Sequence, residues 1–294
     1  MKQPIELRRV RDFGEIINDT FTFLKENFKP LFKALFIICG FFVLAGAATT
    51  ALTQLKLVGL TTTKFNPDTY DSATTAYSYA ITVIVNALIL VFAQLSIYLV
   101  TLCYIAVYLE RKDRQPTFAE VWGFFKYYFW RALGSSVLMV LLMFVGFLLC
   151  IIPGIYLMPP LYLLFPIIVM ENTSFSYAFN KSFTLVKDNW WTVFGVIVIM
   201  SIIVSVLGAF INVPMSLILT TRSFVSLKSF NTPIVIFFSI MRNVLMLAYT
   251  LPAIALTMCY FSLSEQKDGT GILGRIDTFG KGTDNSNDLP AEQY

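Results

Sequence analysis

The chain has 294 residues, of which 56% are hydrophobic, 16% aromatic and only 14% charged, with no histidine and a formal net charge of +4. That balance excludes an ordinary water-soluble domain. The small basic excess is explained below by membrane topology and calls for no nucleic-acid partner.

Five stretches contain no Asp, Glu, Lys or Arg: Ala34 to Leu55, Ser72 to Leu109, Ala132 to Met170, Asn189 to Thr221 and Asn243 to Ser264. Each can cross a hydrocarbon core, which takes about 20 apolar residues. Residues 132–170 are too many for one crossing, and Pro153-Gly154 predicts a turn after Ile152, hence a helical hairpin. Six spans are predicted, at 34–55, 80–109, 132–152, 155–170, 191–217 and 233–263.

Ahead of the first span, residues 13–32 (FGEIINDTFTFLKENFKPLF) place apolar side chains at 13, 16, 17, 21, 24 and 28, one face of an α-helix. With a span directly after it, this helix is predicted to lie in the membrane interface, its aromatic face among acyl chains. The loop from Lys56 to Tyr79 is rich in Thr, Ser and Tyr and carries no motif. Residues 118–134 show a shorter stripe of the same kind, with Phe118, Val121, Trp122, Phe125 and Phe129.

Residues 175–194 (FSYAFNKSFTLVKDNWWTVF) align with 13–32 without a gap: Phe13, Asn18, Phe21, Thr22, Lys25, Asn27 and Phe32 meet Phe175, Asn180, Phe183, Thr184, Lys187, Asn189 and Phe194. The ends of the second and sixth spans also match, Thr101, Cys103 and Tyr104 meeting Thr257, Cys259 and Tyr260. This predicts a parallel repeat, 13–113 and 175–268, around a central hairpin at 132–170. The expected fold is one all-α membrane domain over residues 1–263, decorated by two or three amphipathic helices. The tail, residues 264–294, is Gly, Asp and Asn rich and expected to be mostly disordered.

Seventeen basic residues fall on the side holding both termini, against Lys56, Lys64, Arg222 and Lys228 on the other, with Arg242 unassigned. The positive-inside rule then places both termini in the cytoplasm. No cleavable signal peptide is visible, so the first span is expected to do the targeting. Cys39, Cys103, Cys150 and Cys259 all lie in apolar spans, where a free thiol behaves as a small hydrophobe, so neither disulfide nor metal site is expected. No cofactor is implied.

The stretch IPGIYLMPPLYLLFPIIVMENTSFSYAFNKSFTLVKDNWWTVFGVIVI at 152–199 resembles the membrane domain attached to some glycerophosphoryl diester phosphodiesterases, and stand-alone relatives of unknown function in bacterial inner membranes. The resemblance implies a bacterial inner-membrane location and a helical fold. It does not extend to the hydrolase, whose soluble barrel with catalytic histidines has no counterpart in this chain.

Within the spans, Arg242 is either a functional charge at membrane depth or a side chain that snorkels to the outer interface. Asn86, Gln94 and Asn243 are candidates for a polar pathway or for ties between helices. Pro159, Pro160 and Pro166 interrupt the fourth span, and a broken helix marks either a binding site or a kink. Lys25, Asn27, Lys187, Asn189, Trp190 and Trp191 are candidates for contact with lipid headgroups, or generic anchors. The leading functional expectation is a non-enzymatic scaffold or accessory subunit of a membrane complex, or a lipid organiser, with membrane lipids and membrane proteins or further copies of itself as partners. The alternative is a transporter or channel for a small or amphipathic solute. An intramembrane enzyme ranks third, for want of a catalytic constellation.

Overall fold

The computed structural model describes residues 6–62, 72–111, 115–149, 151–221 and 231–269. Among them every regular element is helical: α1 (Phe13–Glu26), α2 (Phe28–Thr62), α3 (Ser72–Glu110), α4 (Phe118–Leu149), α5 (Ile151–Met170), α6 (Phe175–Val186), α7 (Trp190–Thr221), α8 (Asn231–Leu245), a 3₁₀ turn (Met246–Tyr249) and α9 (Thr250–Asp268). Six segments are long and apolar enough to cross a membrane: Phe28–Leu57, Ala76–Glu110, Phe118–Leu149, Ile151–Met170, Trp190–Leu217 and Pro233–Asp268. The chain is a multi-pass helical protein, and every predicted span has its counterpart. The centre of the Lys56–Tyr79 loop, most of the tail and Cys150 lie outside the described residues.

Helix ends differ from the predicted span ends because charge does not stop a helix. α2 starts at Phe28 and runs through Lys29 and Lys33. The aromatic stripe at 118–134 is the first half of the uninterrupted α4, not a separate amphipathic helix.

The hairpin turn also moves. α4 ends at Leu149 and α5 begins at Ile151, which puts Pro153-Gly154 inside the first turn of α5. Proline there lacks only an N–H that a helix start leaves without an intrahelical acceptor. Gly154 serves packing: a Cβ on it would stand 2.6 Å from the Phe147 ring, and a Cβ on Gly146 would stand 3.3 Å from the Gly154 Cα. Such small residues let two membrane helices approach closely.

α5 stays helical through Pro159, Pro160 and Pro166, so the fourth span is not broken there. It is apolar all round and sits centrally, packed against α3, α4, α6, α7 and α9. Leu161, Leu163 and Leu164 of α5 join Ile97, Leu99, Leu102 and Tyr104 of α3 and most of α9 in the core. The interruption lies in the last span, where the 3₁₀ turn separates α8 from α9. Pro252, in the first turn of α9, has no N–H for the carbonyl of Ala248. On the outside, Val140, Phe144 and Leu148 of α4 and Ile202, Val206 and Phe210 of α7 are exposed. An apolar surface of that extent requires lipid.

α1 is entered through Asp12, whose backbone N–H donates to Glu15 Oε2 at 3.0 Å, a carboxylate suited to a helix start. Its buried face is Ile16, Asp19, Thr20 and Phe23. α6 buries Ala178, Ser182, Leu185 and Val186. These faces are rotated from the predicted stripes. Phe13, Phe21 and Phe28 stay exposed and Ile17 and Leu24 partly so, while Ile16, Ala178 and Val186, assigned to the stripes, are buried. The buried faces mix large apolar side chains, Ile16 and Phe23 on α1 and Leu185 and Val186 on α6, with small and polar ones, Asp19, Thr20, Ala178 and Ser182, while the Phe13, Phe21 and Tyr177 rings stay outside.

Candidate functional site

Two polar regions interrupt the apolar interior. The first joins α2, α3 and α8. Asn86 Nδ2 donates to Thr53 Oγ1 at 3.2 Å and shares a 3.4 Å contact with Thr50. From α8, Asn243 Nδ2 donates to Thr50 Oγ1 at 3.3 Å and to the carbonyl of Ser239 at 2.9 Å. Gly46 makes room for this: a Cβ there would lie 2.5 Å from Asn243 Oδ1. Asn86, Asn243 and Thr50 are all buried. Further along, Lys56 Nζ bridges α2 to α3 through Ser78 Oγ at 2.9 Å and Thr82 Oγ1 at 2.7 Å.

Beside this cluster is a pocket of about 240 Å³ lined by Gln54, Ile211, Asn212, Ser239 and Arg242, among others. Arg242 is exposed and makes no ion pair with any described residue. Gln54 Oε1, Ser239 Oγ and Asn243 Oδ1 are buried without a hydrogen-bond partner. Buried polar groups ordinarily find partners; of these three residues, Gln54 and Ser239 line the pocket, and Asn243 stands beside it in the α2–α3–α8 cluster. A second cavity of about 290 Å³, apolar and lined by Phe32, Phe36, Val244, Ala248 and Leu251, shares Ile211 with the first.

The second polar region holds α1 and α6 against the C-terminal half of α9. The Arg11 side chain is fully buried; its Nε donates to Asp19 Oδ2 at 2.8 Å, and Arg9 reaches the same oxygen at 2.9 Å. Burial pushes the Arg11 guanidinium below its ordinary pKa, opposed by the hydrogen bond and charge of Asp19. The Arg11 backbone N–H donates to Ser262 Oγ at 2.9 Å, fixing α1 to α9. On α6, Lys181 pairs with Glu171 at 2.8 Å and Asp268 at 3.5 Å, and Lys267 pairs with Asp188 at 3.2 Å. Tyr260 OH donates to Glu171 Oε1 at 2.5 Å.

The candidate residues separate accordingly. Asn86 and Asn243 meet through Thr50, with Arg242 next to them, whereas Gln94 is exposed on α3 apart from the cluster. Asn27 is buried and accepts from Tyr104 OH at 3.0 Å. Asn189 donates to Gln266 Oε1 at 3.0 Å, and Trp190 Nε1 donates to the carbonyl of Tyr156 at 3.1 Å. Lys25, Lys187 and Trp191 are exposed. Pro159, Pro160 and Pro166 are buried in α5 and line neither of the two cavities. Thr50, Thr53, Gln54 and Ser239 were missed, although Thr50, Thr53 and Gln54 share a helical face, a polar spacing visible in residues 49–54. Among the described residues no group of three or more Cys, Asp or Glu stands close enough to hold a metal ion. No protein-family model, curated protein or solved structure matches the chain.

Proposed function

We propose that this chain is a non-enzymatic bacterial inner-membrane protein that scaffolds a membrane complex or organises lipid, through the outward aromatic faces of α1 and α6. The observation that carries the reading is that the docking of both helices leaves Phe13 and Phe21 of α1 and Tyr177 of α6 exposed, together with Phe28 and Trp191 in the first turns of the helices that follow, α2 and α7. Rings held on a fixed backbone present contact area at low entropic cost. In this reading α1 and α6 border the membrane interface, both termini are cytoplasmic, and the likeness of residues 152–199 to the phosphodiesterase membrane domain is one of fold.

The reading includes the parallel repeat. It is supported by α1 and α6 starting at Phe13 and Phe175, and α2 and α7 at Phe28 and Trp190, each pair 162 positions apart. The same offset relates the ion pair Arg9–Asp19 to Glu171–Lys181, with the charges exchanged. Replacing Phe21, Phe28 and Trp191 together with Gln, all exposed positions, tests the proposal. The variant should fold but lose copurifying membrane proteins and change the lipid complement; an unchanged complement of both would refute it.

The second reading, a carrier or channel for a small or amphipathic solute, is favoured by the pocket at Arg242 and the interrupted last span. Broken helices and intramembrane charges recur at transport sites. Solute flux into proteoliposomes that is abolished by Arg242→Gln would favour it over the scaffold.

A further inference from the structure

We propose that the two neighbouring cavities, which have Ile211 in common, form a lateral site for one anionic phospholipid, its phosphate on Arg242 and one acyl chain along the apolar part. The apolar cavity is lined from α2 by Phe32 and Phe36, from α7 by Ile211, and from the last span by Val244, Ala248 and Leu251. Phe32 belongs to the second turn of α2, whereas Ile211 lies about six turns into α7. Apart from Thr250 the lining is hydrocarbon, which suits an acyl chain better than a compact polar solute.

At Ile211 the character changes. The adjoining pocket gathers Arg242, Asn212, Gln54 and Ser239. Arg242 carries a charge with no acidic partner among the described residues, and guanidinium is the side chain best matched to the oxygens of a phosphate. Ser239 is almost fully buried, lines the pocket, and its Oγ has no partner, leaving its O–H available to a phosphate oxygen. One cation beside neutral donors selects a negative headgroup over a zwitterionic one, because a choline or ethanolamine cation would be brought towards Arg242. The site involves none of the exposed rings of α1 and α6, so either proposal can fail alone.

The test is native mass spectrometry of the delipidated full chain with added phosphatidylglycerol, phosphatidylcholine or inorganic phosphate. Wild type is expected to retain one phosphatidylglycerol in preference to phosphatidylcholine. Arg242→Gln should weaken that retention by about tenfold or more, the scale of a lost charge-assisted bond to phosphate, while Arg242→Lys keeps most of it. Ala248→Trp, which fills the apolar part without touching the charge, should weaken it comparably. Equal retention of the two lipids, or unchanged retention in both Arg242→Gln and Ala248→Trp, overturns the site. Displacement of phosphatidylglycerol by equimolar inorganic phosphate would show a plain anion pocket and overturn the lipid assignment. The lipid preference of the wild type needs no variant to fold.

Discussion

The indole N–H of Trp190 donates to the backbone carbonyl of Tyr156 at 3.1 Å, and Tyr156 is the residue four positions before Pro160. Proline has no N–H, so Pro160 leaves that carbonyl without its helical donor. Hydrocarbon supplies none, and a neighbouring side chain must. The rings of Tyr156 and Trp190 stack at 6.1 Å and fix the donor in place.

Trp190→Phe should therefore destabilise the protein by about 1–3 kcal/mol, the cost of a stranded acceptor. In a Pro160→Ala background the new N–H serves Tyr156 and the same substitution should cost clearly less. Unfolding in graded denaturing detergent reads both values; equal costs in the two backgrounds would disprove the link.

Asp19→Asn should weaken the attachment of α1 to α9. The buried Arg11 guanidinium keeps its carbonyl contacts, such as Leu7 O at 2.7 Å, but loses its counter-charge. Removal of one partner of a buried pair costs about 3 kcal/mol or more. Limited proteolysis between residues 6 and 27 should accelerate in the variant, and an unaltered cleavage rate would count against the ion pair as the anchor.

Lys181 gives a pH signature. Burial lowers its affinity for a proton, but the hydrogen bond and charge of Glu171, with the charge of Asp268, outweigh burial and raise the pKa above its ordinary 10.5. A raised pKa in the folded state means that the pair contributes in full below pH 10.5 and is lost as pH rises through the folded value. Lys181→Met should lower stability at neutral pH, where the pair is intact, and remove the further loss seen in wild type as pH rises above 10.5; an alkaline profile identical to wild type would rule this out.

Gly46→Ala places a methyl group 2.5 Å from Asn243 Oδ1, and Asn243 is held by Thr50 and Ser239. Overpacking of this kind costs about 1–3 kcal/mol. With Asn243→Ala the obstruction disappears, so the double variant should be more stable than the sum of the single effects allows. Strict additivity would show that α2 and α8 do not meet there.

Six spans could be read from charge-free runs because excluding charge is what the bilayer demands of every crossing segment. The positions of the breaks could not. Pro153-Gly154 has the composition of a turn, yet it starts α5 and packs on Phe147. Pro159, Pro160 and Pro166 have the composition of a break, yet α5 runs through them. In both cases the outcome depends on a neighbour, Phe147 or Trp190, that is adjacent only after folding. The helical period of α1 was legible, and so was an aromatic side facing away from the protein; that Asp19, Thr20 and Phe23 form the docked face was not, because their partners in α9 and α3 are adjacent only after folding. At the candidate site Asn86, Asn243 and Arg242 were recognisable as isolated polar residues. Their common partner Thr50 was not, because one threonine in a span is unremarkable until Gly46 lets α8 approach.

The 3₁₀ turn at Met246–Tyr249 does more than interrupt the last crossing. Each 3₁₀ residue advances about 120° around the axis, against about 100° in an α-helix, so four of them add roughly 80° of rotation. The crossing is thereby phased differently above and below the turn. α8 turns its polar side to α2 and α9 faces α1, α3 and α5, while α7 packs along both. A single transmembrane segment thus serves two sets of neighbours, and inserting or deleting one residue in the turn would rotate the two halves out of phase with their partners.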